Sequence, residues 1–193
     1  MPVEFHRVEV PRDHARLVEF LGNDEWPFHG RRRLTRDDVL EMDFASPEVT
    51  SFWMVDDGET VGLVRLLDLG DVGQGAPLFD LRIAGRHRGR GLGMLATRWL
   101  VDHLFTSHPE LHRIEANTRH DNAAMQRVLS AAGFTHEGRL REAWGSEDGW
   151  FDTMIYGILR ADWTDRATTA AASAHMIISP PAIKNTGPEP SEP

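Results

Sequence analysis

Hydrophobic residues along positions 3–163 alternate in some stretches and recur at helical spacing in others, which predicts a mixed α/β domain. Alternation, as at Phe79 and Leu81, is typical of a half-buried strand. A stripe such as Ala96 and Leu100 is typical of an amphipathic helix. The predicted strands are residues 3–10, 50–55, 60–69, 79–84, 112–118, 134–144 and 150–159. The predicted helices are residues 12–21, 35–44, 92–104 and 122–132.

Short polar motifs mark the ends of several of these elements. Residues 35–38 resemble a capping box, in which Thr and Asp side chains bond each other's backbone N–H groups. Residues 56–58 predict a hairpin turn between two strands. Asp121 or Asn122 is expected to cap the last helix, and Gly133 is expected to end it.

The composition changes after residue 163. Residues 167–174 are rich in Ala and Thr, and residues 179–193 contain five prolines with few side chains to bury. We therefore expect one domain over residues 1–163 and a flexible tail over 164–193. The alternative is an arm that docks on a neighbouring subunit.

Charge and cysteine content exclude several classes of protein. The 193 residues carry a net charge of −9, which disfavours binding to nucleic acid and modestly favours cationic or amine ligands. The absence of cysteine excludes disulfides, thiolate metal sites and a cysteine nucleophile. No apolar run approaches the ~20 residues of a membrane span, and the first residues do not resemble a signal peptide. We expect a cytoplasmic protein that binds neither membranes nor nucleic acid.

The main candidate for a binding site is the glycine-rich turn at residues 86–93, between a predicted strand and a predicted helix. Glycines let the backbone approach a ligand closely, and the first N–H groups of a helix attract anions, phosphate above all. Met94 stands where a dinucleotide fingerprint needs its third glycine, and the Lys of a phosphate-binding P-loop is absent. A nucleotide-binding protein is therefore a weak alternative.

The turn resembles the R/Q-x-x-G-x-G/A signature of the GCN5-related N-acetyltransferases (GNAT), as Arg86-x-x-Gly89-x-Gly91. An ordered series of further motifs resembles the RimJ/RimL-type branch of that family. These motifs are Arg113-Ile114-Glu115-Ala116, Asn122, Ala132-Gly133-Phe134, Glu137-Gly138, Leu140-Arg141, Asp148-Gly149, Asp152, Tyr156, Ile158-Leu159-Arg160 and Asp162-Trp163.

The resemblance implies a GNAT fold of the α+β class. Such a fold has a mixed, mostly antiparallel sheet of six to seven strands with a central splay, flanked by about four helices. It also implies acetyl-CoA as co-substrate, with the pantetheine arm in the splay and the pyrophosphate on the glycine turn. The cofactor-binding residues that it implies are Ile83, Arg88, Gly89, Arg90, Gly91, Leu92, Gly93 and Asn122.

Acetyl transfer to an amine requires a base, because a primary amine with a pKa of about 10.4 is protonated at pH 7. It also requires an acid near the departing thiolate. By resemblance, Tyr156 is the expected acid and Glu115 a candidate base. Asp80 and Asp152 are further candidate bases from their positions on predicted strands; Glu115 and Asp80 rank ahead of Asp152, and a water relay is the alternative. The chain departs from some relatives at Met125, where they have serine, and at Trp144, where they have a carboxylate.

The acceptor is expected to lie among aromatic side chains, by the same resemblance. The residues concerned are Trp26, Pro27, Phe28 and His29 on one side, with Trp144 and Trp150 opposite. Such rings can hold a cation or stack on a ring. Arg31 to Arg33 are expected to form a solvated charge run. The histidines at 103, 108 and 112 lack the spacing of metal ligands, so no metal is expected.

The leading hypothesis is an N-acetyltransferase that moves the acetyl group of acetyl-CoA to a primary amine by direct attack in a ternary complex. The amine belongs to a protein N-terminus, a small metabolite or an antibiotic. The alternative from another class is a catalytically silent acyl-CoA-binding module that regulates a partner. A homodimer is an expectation from the family alone.

Overall fold

A computed structural model describes residues 2–165 of the chain. Within these residues there are seven strands and four complete α-helices, and the chain is helical again over residues 160–165. One short 3₁₀ turn, Gly85–His87, precedes the longest helix. The strands are β1 (Glu4–Arg7), β2 (Thr50–Asp56), β3 (Glu59–Leu67), β4 (Leu78–Ile83), β5 (Arg113–Arg119), β6 (Thr135–Ser146) and β7 (Gly149–Leu159). The helices are α1 (His14–Gly22), α2 (Arg36–Glu41), α3 (Leu92–Ser107) and α4 (Ala123–Ala132). These elements follow the order β1-α1-α2-β2-β3-β4-α3-β5-α4-β6-β7.

The strands form two hydrogen-bonded sheets, one ordered β1-β2-β3-β4 and the other β5-β7-β6. All the strand pairs in both sheets are antiparallel. The N–H of Glu115 on β5 donates to the carbonyl of Pro77, just before β4, over 3.0 Å. The two strands form no ladder beyond this bond, so the sheets separate there. This arrangement confirms the expected GNAT fold and its central splay.

Strands β2 and β3 bury side chains on both faces. Met54 and Leu66 pack with Leu100 of α3 in the larger core cluster, which continues onto β5 and β7. Trp53 and Leu63 point to the opposite face and pack against α1 and α2 in a second cluster. Successive strand residues point to opposite faces, so a continuous apolar run can serve two cores.

The local sequence signals are confirmed where polar caps were identified. Both bonds of the capping box between Thr35 and Asp38 are present at α2. The N-cap of α4 is Asn122, whose side-chain oxygen accepts from the N–H of Met125 over 3.2 Å. Gly133 ends that helix with φ +94°, in the left-handed region that glycine adopts at low cost.

Other boundaries differ from the sequence prediction. β1 ends at Arg7, although the Val8 N–H still donates to the carbonyl of Ser51. Helix α2 ends at Glu41 rather than residue 44, because Met42 is extended with ψ 139°. The predicted tail over 164–193 lies outside the described residues except for its first two positions, so the domain boundary stays a prediction.

Candidate active site

The glycine turn leaves several backbone N–H groups at the start of α3 without a partner in the helix. Gly89 and Gly91 have φ of +77° and +81°, and a Cβ built on either residue meets nothing within 4 Å. The first helical hydrogen bond runs from the N–H of Leu95 to the carbonyl of Gly91, so the N–H groups before it have no partner within the helix. This open, dipole-oriented backbone fits a pyrophosphate.

The arginine side chains of the turn are engaged in the protein itself. Arg88 donates to the carbonyls of Ile83 and Glu25 over 2.9 and 2.7 Å. Arg90 pairs with Asp56 over 3.2 Å. An anion bound at this turn would therefore meet the backbone N–H groups first, as the sequence analysis expects.

A cavity of about 350 Å³ lies between the turn, the start of α4 and the loop at residues 26–29. We call it the turn cavity. It is lined by most of the residues expected to bind acetyl-CoA, with Arg90 outside the lining. The expected residues that line it are Ile83, Arg88, Gly89, Gly91, Leu92, Gly93 and Asn122.

A second cavity, of about 360 Å³, occupies the opening between β4 and β5. We call it the splay cavity. It is lined by Asp80 and Phe79 of β4, by residues 116–118 of β5 and by Trp144 of β6. Six residues line both cavities, so the two spaces adjoin. The shared residues are Phe28, His29, Leu81, Arg82, Asn122 and Met125.

Asp80 is the electrostatic centre of the splay cavity. Its carboxylate contacts His29 Nε2 at 2.9 Å, Arg82 Nε at 3.2 Å and Arg65 Nη1 at 3.3 Å. Burial favours the neutral acid, but the hydrogen bond from His29 and the positive charges of Arg82 and Arg65 outweigh burial. They hold the pKa of Asp80 well below its usual range. A carboxylate that is ionised and accepts three hydrogen bonds is a weak base. Asp80 therefore suits a positioning role better than proton abstraction.

The contact with Asp80 determines which nitrogen of His29 carries a proton. An ionised carboxylate only accepts hydrogen bonds, so Nε2 carries the hydrogen that points at Asp80. In the neutral ring Nδ1 is then an acceptor, and it has no hydrogen-bond partner among the described residues. His29 therefore combines a fixed tautomer, a free ring nitrogen and a position on the wall of both cavities.

Buried hydrogen bonds hold the loop that carries His29. Arg119 Nη1 donates to the carbonyl of Pro27 over 3.1 Å, and Nη2 of the same side chain pairs with Asp121. The indole N–H of Trp26 donates to the carbonyl of Leu21 over 2.9 Å. Sequence reasoning did not identify Arg119 or Arg82 as site residues. The i, i+2 spacing of Asp80 and Arg82 on one strand was the available signal, because it puts them on one face.

The expected acceptor residues divide between the cavities. Trp26 is buried and lines the turn cavity, Trp144 lines the splay cavity, and Phe28 and His29 line both. Trp150, by contrast, is 71% exposed. The run at residues 31–33 is ion-paired with Asp38 and Glu25.

Three expected catalytic residues lie outside the linings of both cavities. Glu115 pairs with Arg113 over 2.9 Å. Asp152 accepts from the N–H of Glu142 and from Arg139. Tyr156 is 4% exposed and packs in the larger core cluster, where burial raises its pKa and a hydrogen bond with Ser130 opposes that rise. The acid role of Tyr156 stays a prediction, and its position in this structure favours a packing role.

Replacing Tyr156 with Phe tests this position. Because the hydroxyl bonds Ser130, an exposed residue of α4, we expect the variant to lose no more than about 1 kcal/mol of unfolding free energy and to keep turnover within about twofold. Thermal unfolding and steady-state kinetics measure the two effects. A tenfold or larger loss of kcat with unchanged affinity for acetyl-CoA would restore the acid role.

Two features of the described residues bear on membranes and metals. Across residues 2–165, no helix is long and apolar enough to span a bilayer. The same residues contain no group of three or more His, Asp or Glu side chains placed to hold a metal ion. The expectations of a cytoplasmic location and of a homodimer stay predictions.

Comparison with known proteins identifies the family. A family model described as the acetyltransferase (GNAT) domain matches residues 5–135. A Bacillus subtilis (strain 168) protein named probable N-acetyltransferase YjcK is 38% identical over 76 residues, which are 39% of this chain and 41% of that protein. The match thus spans less than half the length of this curated relative. The family match covers more than half of the chain, which therefore belongs to the acetyltransferase (GNAT) domain family.

Solved structures share the fold at low identity. A chimera of the spermidine N-acetyltransferase SpeG from Vibrio cholerae and hSSAT superposes with a TM-score of 0.72 and 20% identity, over 85% of this chain and 99% of that chain. RimJ from Mycobacterium smegmatis, solved in complex with CoA-disulfide, gives a TM-score of 0.68 and 22% identity, over 83% of each chain. These similarities support the fold.

Proposed function

We propose that this protein is an N-acetyltransferase of the RimJ/RimL-like branch that moves the acetyl group of acetyl-CoA to a primary amine. The observation that carries the proposal is the meeting of two cavities at His29, one beside the glycine turn and one between the separated sheets. Two adjoining spaces allow both substrates to be held together, as direct attack in a ternary complex requires.

The turn cavity fits CoA by the chemistry of its wall. Unpaired N–H groups at the start of α3 suit the pyrophosphate, and the open space in front of Gly89 and Gly91 lets it approach. Asn122 lines both cavities while its side-chain oxygen caps α4, which leaves its amide N–H₂ for a pantetheine carbonyl. When bound, acetyl-CoA supplies an activated thioester carbonyl.

His29 is the base in this proposal and Asp80 positions it. The amine enters the splay cavity unprotonated, and its nitrogen bonds to the carbonyl carbon as its proton passes to His29 Nδ1. The carbon–sulfur bond breaks, and the departing sulfur takes that proton from His29. Asp80 holds the ring in the required tautomer and stabilises the imidazolium between the two transfers, with its contact at 2.9 Å.

Replacing His29 with Gln is the direct test. We expect kcat to fall about 10²–10⁴-fold, as for removal of a general base, while the Kd for acetyl-CoA changes less than threefold. CoA release measured with a panel of primary amines and N-terminal peptides gives the rate, and calorimetry gives the affinity. The matched control is His112→Gln, because His112 is exposed and lies outside both cavity linings.

Two results would contradict the proposal. Unchanged kcat in His29→Gln would remove His29 from the base role. Binding of acetyl-CoA by the unaltered protein, without acetylation of any amine in the panel, would favour the catalytically silent module instead.

A further inference from the structure

The splay cavity has a positive charge balance, although the whole chain is acidic. Asp80 is the one carboxylate among the residues that line this cavity, and it already receives three hydrogen bonds. Two of them come from Arg82, which lines the cavity, and from Arg65, which lies behind the lining, so this cluster of three side chains keeps one formal positive charge even when His29 is neutral. Both arginine side chains are largely buried, at 13% and 7% exposure, so water screens this excess charge weakly.

One donor of this cluster is unused. Arg82 Nη1 is buried and has no hydrogen-bond partner among the described residues, while Nε of the same group donates to Asp80. Arg82 also lines both cavities, so it lies where they adjoin. A buried guanidinium N–H without a partner is costly, and an oxygen of a bound ligand would satisfy it. An anionic oxygen would also neutralise the excess charge.

We infer that the acceptor of this enzyme is an amine that carries an anionic oxygen, such as a carboxylate, which Arg82 binds. The inference rests on the proposed function and adds the substrate class. The aromatic side chains of Phe28, Phe79 and Trp144 line the same cavity and suit an apolar substituent on this acceptor.

The same charge balance disfavours polyamines. Each further ammonium group would enter a site whose single carboxylate is already paired, and would add positive charge near Arg82. For an amine with one amino group, the positive surroundings favour the neutral form that attacks the thioester. The site thus selects by charge and promotes deprotonation through the same two arginines.

Matched acceptors test the inference. Phenylalanine, phenylalaninamide and 2-phenylethylamine share one ring and one amino group and differ in the anionic oxygen. We expect kcat/KM for phenylalanine to exceed that for 2-phenylethylamine at least about tenfold, the scale of one charge-assisted hydrogen bond. Phenylalaninamide is expected to resemble 2-phenylethylamine, and spermidine to be the poorest substrate.

A binding measurement that needs no turnover accompanies the kinetics. With CoA present, N-acetylphenylalanine is expected to bind at least about tenfold more tightly by calorimetry than N-acetyl-2-phenylethylamine, since only the former offers a carboxylate to Arg82. Equal affinities of the two products, or equal kcat/KM for the acid and the amide, would overturn the inference.

Variants of Arg82 test whether this side chain causes the preference for an acceptor with an anionic oxygen. In Arg82→Met the ratio of kcat/KM between phenylalanine and 2-phenylethylamine is expected to fall to about one. In Arg82→Lys, which keeps the charge and is the variant to use if the first does not fold, the ratio is expected to be intermediate. An unchanged ratio in both variants would overturn the assignment. A uniform loss for all acceptors would also overturn it and would assign Arg82 Nη1 to the acetyl oxygen.

Different results would contradict the proposed function and the proposed class of acceptor. Absence of acetyl transfer to every amine tested, with acetyl-CoA bound, contradicts the proposed function. Efficient transfer to spermidine, or equal transfer to the three phenylalanine analogues, contradicts only the choice of acceptor.

Discussion

Replacing Asp80 with Asn is expected to lower kcat at least about a hundredfold and to reduce the free energy of unfolding by about 3–5 kcal/mol. The loss of stability follows from leaving Arg65 and Arg82 buried without their shared carboxylate, whose contacts are 3.3 and 3.2 Å. The loss of rate follows because an amide no longer enforces the tautomer of His29 or stabilises its cation. Chemical denaturation and steady-state kinetics measure the two effects.

Lowering the pH should cause part of the same loss of stability in the unaltered protein. The pKa of Asp80 is lowered in the folded protein, so its contribution to stability is complete above the unfolded value of about 3.9. It is lost progressively as the pH falls below about 4 toward the folded pKa. The unfolding free energies of the unaltered protein and of Asp80→Asn should therefore converge on acidification.

The control for both measurements is Asp71→Asn, which changes an exposed aspartate outside both cavity linings. We expect it to alter stability by less than about 0.5 kcal/mol. If Asp80→Asn were as stable and as active as this control, the carboxylate would be neither the anchor of the arginines nor the partner of His29.

Replacing Gly91 with Val is expected to weaken acetyl-CoA binding at least about a hundredfold, or about 2.7 kcal/mol. Gly91 begins α3 with φ +81°, and its Cβ position faces open space. A valine side chain would occupy the space that the pyrophosphate needs and would hold it away from the N–H groups of the first helical turn. Calorimetry with acetyl-CoA measures the change.

The chain offers a matched control in Gly58→Val. Gly58 has nearly the same backbone angle, φ +79°, and also has nothing within 4 Å of an added Cβ, but it lies in the hairpin between β2 and β3. Both variants carry the strain of a β-branched residue in the left-handed region, on the order of 1–3 kcal/mol. Only Gly91→Val should lose affinity. Equal affinities of the two variants would refute the pyrophosphate site.

Local sequence patterns predicted most of the fold because the forces concerned are local. The polar residues at 35–38, Asn122 and Gly133 act within one helical turn, so spacing alone identified the start of α2 and, to within one residue, both ends of α4. Alternation predicted β4, where Phe79 and Leu81 point to one face. The early end of α2 depended on Met42 leaving the helix, and no local residue signals that change.

Most residues of the expected cofactor site belong to one continuous segment, and most of that segment lines the turn cavity. The residues that we propose for catalysis were harder to predict because they come from distant parts of the chain. His29 and Asp80 are 51 residues apart and meet at 2.9 Å. Tyr156, which resemblance favoured as the acid, packs in the core, and alternation along β7 does not reveal which neighbour its hydroxyl meets.

The sequence by itself determined the family, the element types and the position of the glycine turn, since each depends on residues close together in the chain. The tertiary structure decided the electrostatics of the site. By its composition the chain is acidic, with a net charge of −9, which favours cationic ligands. Folding buries Arg65 and Arg82 around the carboxylate of Asp80, so the charge cluster at the wall of the splay cavity is positive. Net charge sums over the whole surface, whereas a buried site responds to the few charges that water does not screen.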